Sequence, residues 1–169
     1  SEMCIRDSIY AGIGGDFTLK DQYNNDFTLS DSSKVKIIFF GFLNCPDICP
    51  TTLTEVANLL KKLEGLSKNI EPIFITVDPT RDTPELLKNY LSFFDERIIG
   101  LTGTQEEIEK VSNQYHVYYS YQNKGKVEDY TVNHTANMYL VDEKISLEGK
   151  KVIQVPFFFV FPIFLRGFK

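Results

Sequence analysis

An α/β sandwich, one mixed β-sheet covered by helices, is expected from three features of the chain. Two near-continuous runs of β-branched and aromatic residues, Val35 to Phe42 and Pro72 to Val77, have the pattern of strands buried on both faces. Segments with apolar residues at helical spacing alternate with these runs, and the chain both starts and finishes β-rich. At 169 residues it is long enough for one domain with a real core and too short to expect two.

Taken in order, Phe17 to Leu19 and Phe27 to Leu29 flank Asp21, Asn24, Asn25 and Asp26, good turn formers, and read as a small hairpin. The run Val35 to Phe42 should be central in the sheet. After a turn through Asn44 to Cys49, Pro50 suits a first helical position, and Leu53, Val56, Ala57, Leu60 and Leu63 recur at helical spacing until Gly65 marks the end. Pro72 to Val77 is the second buried strand. Thr83, Pro84 and Glu85 then read as a cap, a first-turn proline and a first-turn acid of a helix reaching about Phe94. Ile98 to Leu101 is a third strand. Thr104 caps a further helix, whose Glu106 and Glu107 complement its dipole and whose Ile108, Val111 and Tyr115 form the buried face. Val117 to Tyr121, Val127 to Val132 and Ala136 to Val141 close as strands, the first two joined in a hairpin around Asn123 to Gly125.

The ends fit this pattern less well. Residues 1–8 have no hydrophobic period and read as a non-native or disordered leader, and 9–145 as the domain. Residues 146–169 form an atypical tail: from Val152 on, Pro156, a run of phenylalanines, Pro162 and Leu165 leave no polar face, and proline interrupts any strand or helix. That tail is expected to be out of frame. Composition excludes more than it selects. Hydrophobic residues at 43% and charged residues at 24% are ordinary for a globular domain. A net charge of −5 without any Lys and Arg run argues against nucleic acid as a partner. No stretch reaches the roughly 18 uninterrupted apolar residues of a membrane-spanning helix.

Three cysteines are too few for a disulfide-built scaffold; Cys4 stands alone, while Cys45 and Cys49 form a Cys-x-x-x-Cys pair between a buried strand and a helix. A thiol at a helix N-terminus meets the positive end of the macrodipole, so the thiolate of Cys49, just before Pro50, is expected to be favoured. The spacing allows both sulfurs to reach one metal ion or one disulfide. Two thiolates do not satisfy zinc, which takes four ligands in structural sites, whereas soft Cu(I) accepts two thiolates and one imidazole. Two histidines are available. His116, after Tyr115 at a helix end, reads as half-buried and capping the last turn. His134, in Asp129-Tyr130-Thr131-Val132-Asn133-His134-Thr135, sits in a turn between strands and is either a ligand or a surface histidine.

Three motifs together resemble the Sco/SenC family, thioredoxin-like copper proteins that help to build the binuclear copper centre of cytochrome c oxidase. They are Phe39 to Phe42 leading into Cys45-Pro46-Asp47-Ile48-Cys49-Pro50, then Val77-Asp78-Pro79-Thr80-Arg81-Asp82-Thr83-Pro84, then the segment ending in His134. The resemblance runs from about Gly14 to about Asp142. It implies a thioredoxin-like fold with an extra N-terminal β-hairpin, and a copper ion, Cu(I) or Cu(II), held by Cys45, Cys49 and His134. Where the family usually has an aspartate before that histidine, this chain has Asn133, which weakens any outer-shell charge effect without removing a ligand. The second motif reads as structural, with Asp82 or Thr83 capping a helix and Arg81 pairing with an acid.

The resemblance further implies copper delivery to the copper-bearing subunit of cytochrome c oxidase, contact with other copper chaperones, and a membrane anchor that this chain lacks. Its compartment would be the periplasmic face of the inner membrane or the mitochondrial intermembrane space. The alternative is a thiol-disulfide reductase in which Cys45 or Cys49 attacks a partner's disulfide. A peroxiredoxin-like peroxidase fits less well, because Thr51 and Thr52 follow the cysteines where Thr-x-x-Cys would be needed.

Overall fold

A computed structural model describes residues 12–45, 48–122, 131–134, 137–141 and 152–156. The predicted hairpin is present: β1 (Thr18–Asp21) pairs antiparallel with β2 (Asp26–Thr28), and Asn24 turns between them at φ 65°. The central run is β3 (Val35–Gly41), fully paired in parallel with β4 (Ile70–Thr76) from Val35 opposite Ile70 to Gly41 opposite Thr76. With β5 (Ile99–Thr102), β8 (Asn137–Val141) and β9 (Val152–Pro156), these make a seven-stranded mixed sheet of order β2-β1-β5-β4-β3-β8-β9. β3 and β4 lie inside this sheet, which is why their sequences are apolar on both faces.

Helices cover the two faces. On one, α1 (Ile48–Lys62) and α3 (Pro84–Ser92) pack Leu53, Val56, Leu60, Leu87 and Leu91 against Ile37, Phe39 and Phe74; a short α2 (Glu64–Ser67) follows α1. On the other, α4 (Gln105–Gln114) brings Ile108 and Val111 onto Ile38, Phe40, Ile73 and Ile75. The same layer includes Val132 of a separate ribbon, β6 (Tyr119–Gln122) paired antiparallel with β7 (Thr131–His134). Alternation along β4 assigns the layers, with Ile73 and Ile75 on one side and Phe74 on the other.

Both predicted caps form. The Thr83 side chain accepts from Leu86 N with Pro84 in the first turn, and Thr104 makes a reciprocal capping box with Glu107. Four expectations are corrected. Gly65 does not end the first long helix, which stops at Lys62; it lies inside α2. His116 is exposed rather than half-buried, in left-handed backbone with φ 53°, where it ends α4 as a glycine commonly would. Val152–Pro156 is a regular strand paired along all five residues with β8, so this part of the tail joins the sheet. Its proline is the last residue of an edge strand, a position that proline tolerates. His134 belongs to β7 rather than to a turn. The expected hairpin turn around Asn123 to Gly125, the leader and the rest of the tail lie outside the described residues. No helix among the described residues is long and apolar enough to cross a membrane.

Candidate functional site

Parallel pairing of β3 with β4 ends level, at Gly41 and Thr76, and Val77 N extends it by donating to Gly41 O at 2.8 Å. Beyond this shared end the chain turns, with Cys45 N donating to Phe42 O at 3.2 Å, and enters α1 at Ile48. The turn places Cys45 half-buried beside the α4-side core, while Cys49, in the first turn of α1, is 3% exposed. The two are free thiols joined by a hydrogen bond, so the structure brings together the pair that the sequence singled out.

Their environments differ, and the expectation of a favoured Cys49 thiolate is overturned. Burial pushes the Cys49 thiol far up from its ordinary value; the Phe42 backbone hydrogen bond opposes this, while Cys45 and Asp82 add to it. Desolvation of the charged form outweighs the helix N-terminus because the sulfur is buried close against Gly41 at the end of β3 instead of standing at a solvated helix end. Cys45 is therefore the sulfur that meets solvent, and Cys49 the one held behind it. Under reducing conditions, a bulky maleimide is expected to modify Cys45 at least about tenfold faster than Cys49, a rate ratio that follows thiolate access. Peptide mapping by mass spectrometry checks the order, and faster labelling of Cys49 would contradict it.

The second motif wraps this turn. Arg81 Nε donates to Asp78 Oδ2 at 2.5 Å, the acid pairing that the sequence suggested, and Thr83 rather than Asp82 is the helix cap. Asp82, 2% exposed, accepts instead from Thr76 Oγ1 at 2.6 Å and from Leu43 N at 3.1 Å. Burial raises its carboxyl from 3.8 to about 6, against the two hydrogen bonds. A folded-state value above the unfolded one means that the native protein binds the proton more tightly. This contribution to stability is complete below about pH 4 and is lost as pH rises through 6, on the order of 3 kcal/mol at 1.4 kcal/mol per unit. Urea unfolding of wild type and Asp82→Asn from pH 4 to 8 should show wild type losing ground across pH 4–6 and a constant difference beyond; a flat difference throughout would refute this.

Two aromatic hydroxyls border the turn. Tyr121 donates to Val77 O at 2.7 Å and so ties the β6–β7 ribbon to the end of β4. Tyr90 of α3 is held neutral, its hydroxyl raised by partial burial and then by Cys49, Cys45 and Asp82. On the ribbon, His134 lies opposite Tyr119, and Asn133 opposite Ser120. The structure describes His134 by its backbone, and its imidazole lies outside what is described; among the described residues no group of three His, Cys, Asp or Glu side chains converges. Sequence reasoning did not find the contact between Asp82 and Leu43, which spans 39 positions, nor the close approach at Gly41. A glycine inside an otherwise bulky strand was the one available signal for the latter.

The SCO1/SenC family model matches residues 7–151, which is most of the chain. The chain belongs to the SCO1/SenC family. Mitochondrial SCO1 of Saccharomyces cerevisiae is 44% identical over 135 residues, 77% of this chain and 45% of that protein, so the chain spans about half of its relative's length. The copper-bound structure of yeast Sco1 superposes with a TM-score of 0.73, at 44% identity over 78% of this chain and 75% of that one. Copper-bound ScoI of Bradyrhizobium japonicum gives a TM-score of 0.73 at 45% identity, covering 78% and 83%. A more distant member, BsSco, described by its disulfide switch and as one of the cytochrome c oxidase assembly proteins, gives 0.64 at 26% identity, covering 85% and 82%. These neighbours establish the thioredoxin-like fold for a SCO1/SenC chain with an added N-terminal hairpin.

Proposed function

We propose that this domain carries copper as cargo, gripped by Cys45, Cys49 and His134, and passes it to the copper-bearing subunit of cytochrome c oxidase. The observation that carries the reading is the graded dithiol: one buried sulfur and one accessible sulfur, hydrogen-bonded to each other at the start of a helix. Sulfur donors of this kind suit a soft monovalent ion. The copper-bound Sco structures that match the chain support it.

The gradient assigns roles to the residues. Cys49 is the anchor, protonated when the protein is empty, and copper must displace that proton, so uptake releases protons and tightens as pH rises. Cys45, nearer solvent, is the sulfur that an incoming donor displaces first, which lets ligand exchange proceed without exposing the ion. In this reading the domain works on the periplasmic face of a bacterial inner membrane or in the mitochondrial intermembrane space; relatives whose names place them in mitochondria and in rickettsiae support these two settings. Other copper chaperones would load it.

The second reading is a thiol-disulfide reductase, and the asymmetry between the thiols favours it too. Cys45 would attack a partner's disulfide, forming a mixed disulfide and releasing one partner thiol; Cys49 would then attack the Cys45 sulfur and displace the second partner thiol, which leaves a Cys45–Cys49 disulfide here and a reduced dithiol on the partner. The disulfide switch named for BsSco supports this chemistry. Anaerobic loading followed by metal analysis separates the readings. Cargo carriage requires close to one copper per chain, abolished when both cysteines are replaced by serine. Turnover of an oxidised partner peptide without any copper retention would instead select the reductase.

A further inference from the structure

Asp82 is a buried acid that neither reading uses. A carboxylate taken out of water is unfavourable unless its oxygens are hydrogen-bonded, and the partners of this one are informative. Oδ2 receives the Thr76 hydroxyl at 2.6 Å and the Leu43 backbone N–H at 3.1 Å. Thr76 ends β4 opposite Gly41, and Leu43 lies inside the turn that Cys45 N closes on Phe42 O. One oxygen atom thus joins the rigid end of the sheet to the turn two residues ahead of Cys45. Asp82 is itself fixed on both sides: its N–H donates to Asp78 O at 3.0 Å, and its carbonyl accepts from Thr102 Oγ1 at 3.4 Å. Cys49 needs no such tether, because it is buried in the first turn of α1 with its sulfur close against Gly41.

We infer that Asp82 is a positioning residue: through its hydrogen bond to Leu43 it sets where Cys45 stands relative to the fixed Cys49, and hence how readily the two sulfurs act as a pair. The inference rests on reading Cys45 and Cys49 as a working dithiol, and it needs no assumption about copper or about His134. A latch on the turn raises the effective concentration of one sulfur at the other, so releasing it penalises the disulfide more than the dithiol.

The test is equilibration with glutathione buffers, in which oxidised glutathione accepts two electrons and becomes two glutathione thiols as the Cys45–Cys49 disulfide forms. Asp82→Ala should lower the equilibrium constant for disulfide formation about tenfold, which is about 30 mV for a two-electron couple. Asp82→Asn, which keeps an oxygen that both donors can reach, should stay within about threefold of wild type. A folded Asp82→Ala protein with an unchanged constant would overturn the inference. So would Asp82→Asn shifting as far as Asp82→Ala, since charge and not the latch would then be responsible. Should Asp82→Ala fail to fold, Thr76→Val decides: it removes one of the two donors on the same oxygen, and a shift in the same direction supports the latch while none overturns it. Failure of the wild-type chain to form any Cys45–Cys49 disulfide would defeat the dithiol reading itself and the latch with it, a result that the variants could not mimic.

Discussion

His134→Ala is expected to lower copper affinity by more than about a hundredfold while leaving the reactivity of Cys45 and Cys49 intact. Losing an outer-shell partner of a metal ligand already costs about 10- to 100-fold, and under the proposed ligand set a ligand itself would go. The loss should be greater for Cu(II) than for Cu(I), because a soft monovalent ion is served well by two thiolates, whereas the divalent ion prefers an imidazole. The substitution should leave the fold in place. His134 is the last residue of β7, and the ribbon is held by other groups: Val132, buried in the core, and Tyr121, hydrogen-bonded to Val77. Competition against a colorimetric Cu(I) chelator under anaerobic conditions, and Cu(II) titration followed by thiolate charge-transfer absorbance, measure the two losses separately. Maleimide labelling of the same variant supplies the control. Unchanged affinity in both titrations would remove His134 from the site.

That prediction connects residues 85 apart in function, and the way the chain makes such connections explains what its sequence disclosed. Features carried by neighbouring residues were legible. The apolar runs gave β3 and β4 because strands buried on both faces cannot hide a polar period. Thr83 with Pro84, and Thr104 with Glu107, gave two helix starts because capping is a three-residue event. The Cys-x-x-x-Cys pair was legible for the same reason, since its turn and first helical residues are contiguous.

What the sequence concealed was supplied by the third dimension. The Cys49 thiol looks activated when read as a helix N-terminus and is the reverse once burial is counted, and its burial comes from tertiary packing, with the sulfur close against Gly41 of a different element. Asp82 looked like a cap because it precedes Thr83-Pro84; its bonds go instead to Thr76 and Leu43. Val152–Pro156 looked unfit for a strand in isolation, yet β8 supplies its entire hydrogen-bonding ladder. The three motifs, taken together, still pointed to the family, because each is a run of neighbouring residues and so is legible without the fold.

Gly41→Ala, a single added methyl group, is expected to injure both the fold and the dithiol. A Cβ built at Gly41 would stand 2.7 Å from Cys49 Sγ and 2.8 Å and 3.2 Å from two carbons of the Phe74 ring. Phe74 is fully buried and packed edge-on against Phe39, with ring centroids 5.4 Å apart, so it cannot yield without disturbing the layer beneath α1 and α3. Nor can β3 retreat, since Gly41 is registered against Thr76 and its carbonyl accepts from Val77 N. Overpacking of a close-packed core costs typically about 1–3 kcal/mol, and the movable atom here is the Cys49 sulfur. Displacing it relieves the clash at the expense of the cysteine pair. The variant should therefore unfold at lower urea, with an unchanged denaturant slope, and should also lose copper and disulfide formation at concentrations where it remains folded. Thr104→Ala provides the comparison: loss of that cap costs a similar ~1 kcal/mol at the start of α4, whose cap is bonded to Glu107 and not to the cysteine turn, and should leave the dithiol unaffected. If Gly41→Ala matched Thr104→Ala in stability and retained normal dithiol chemistry, the seat proposed for Cys49 against the end of β3 would be wrong.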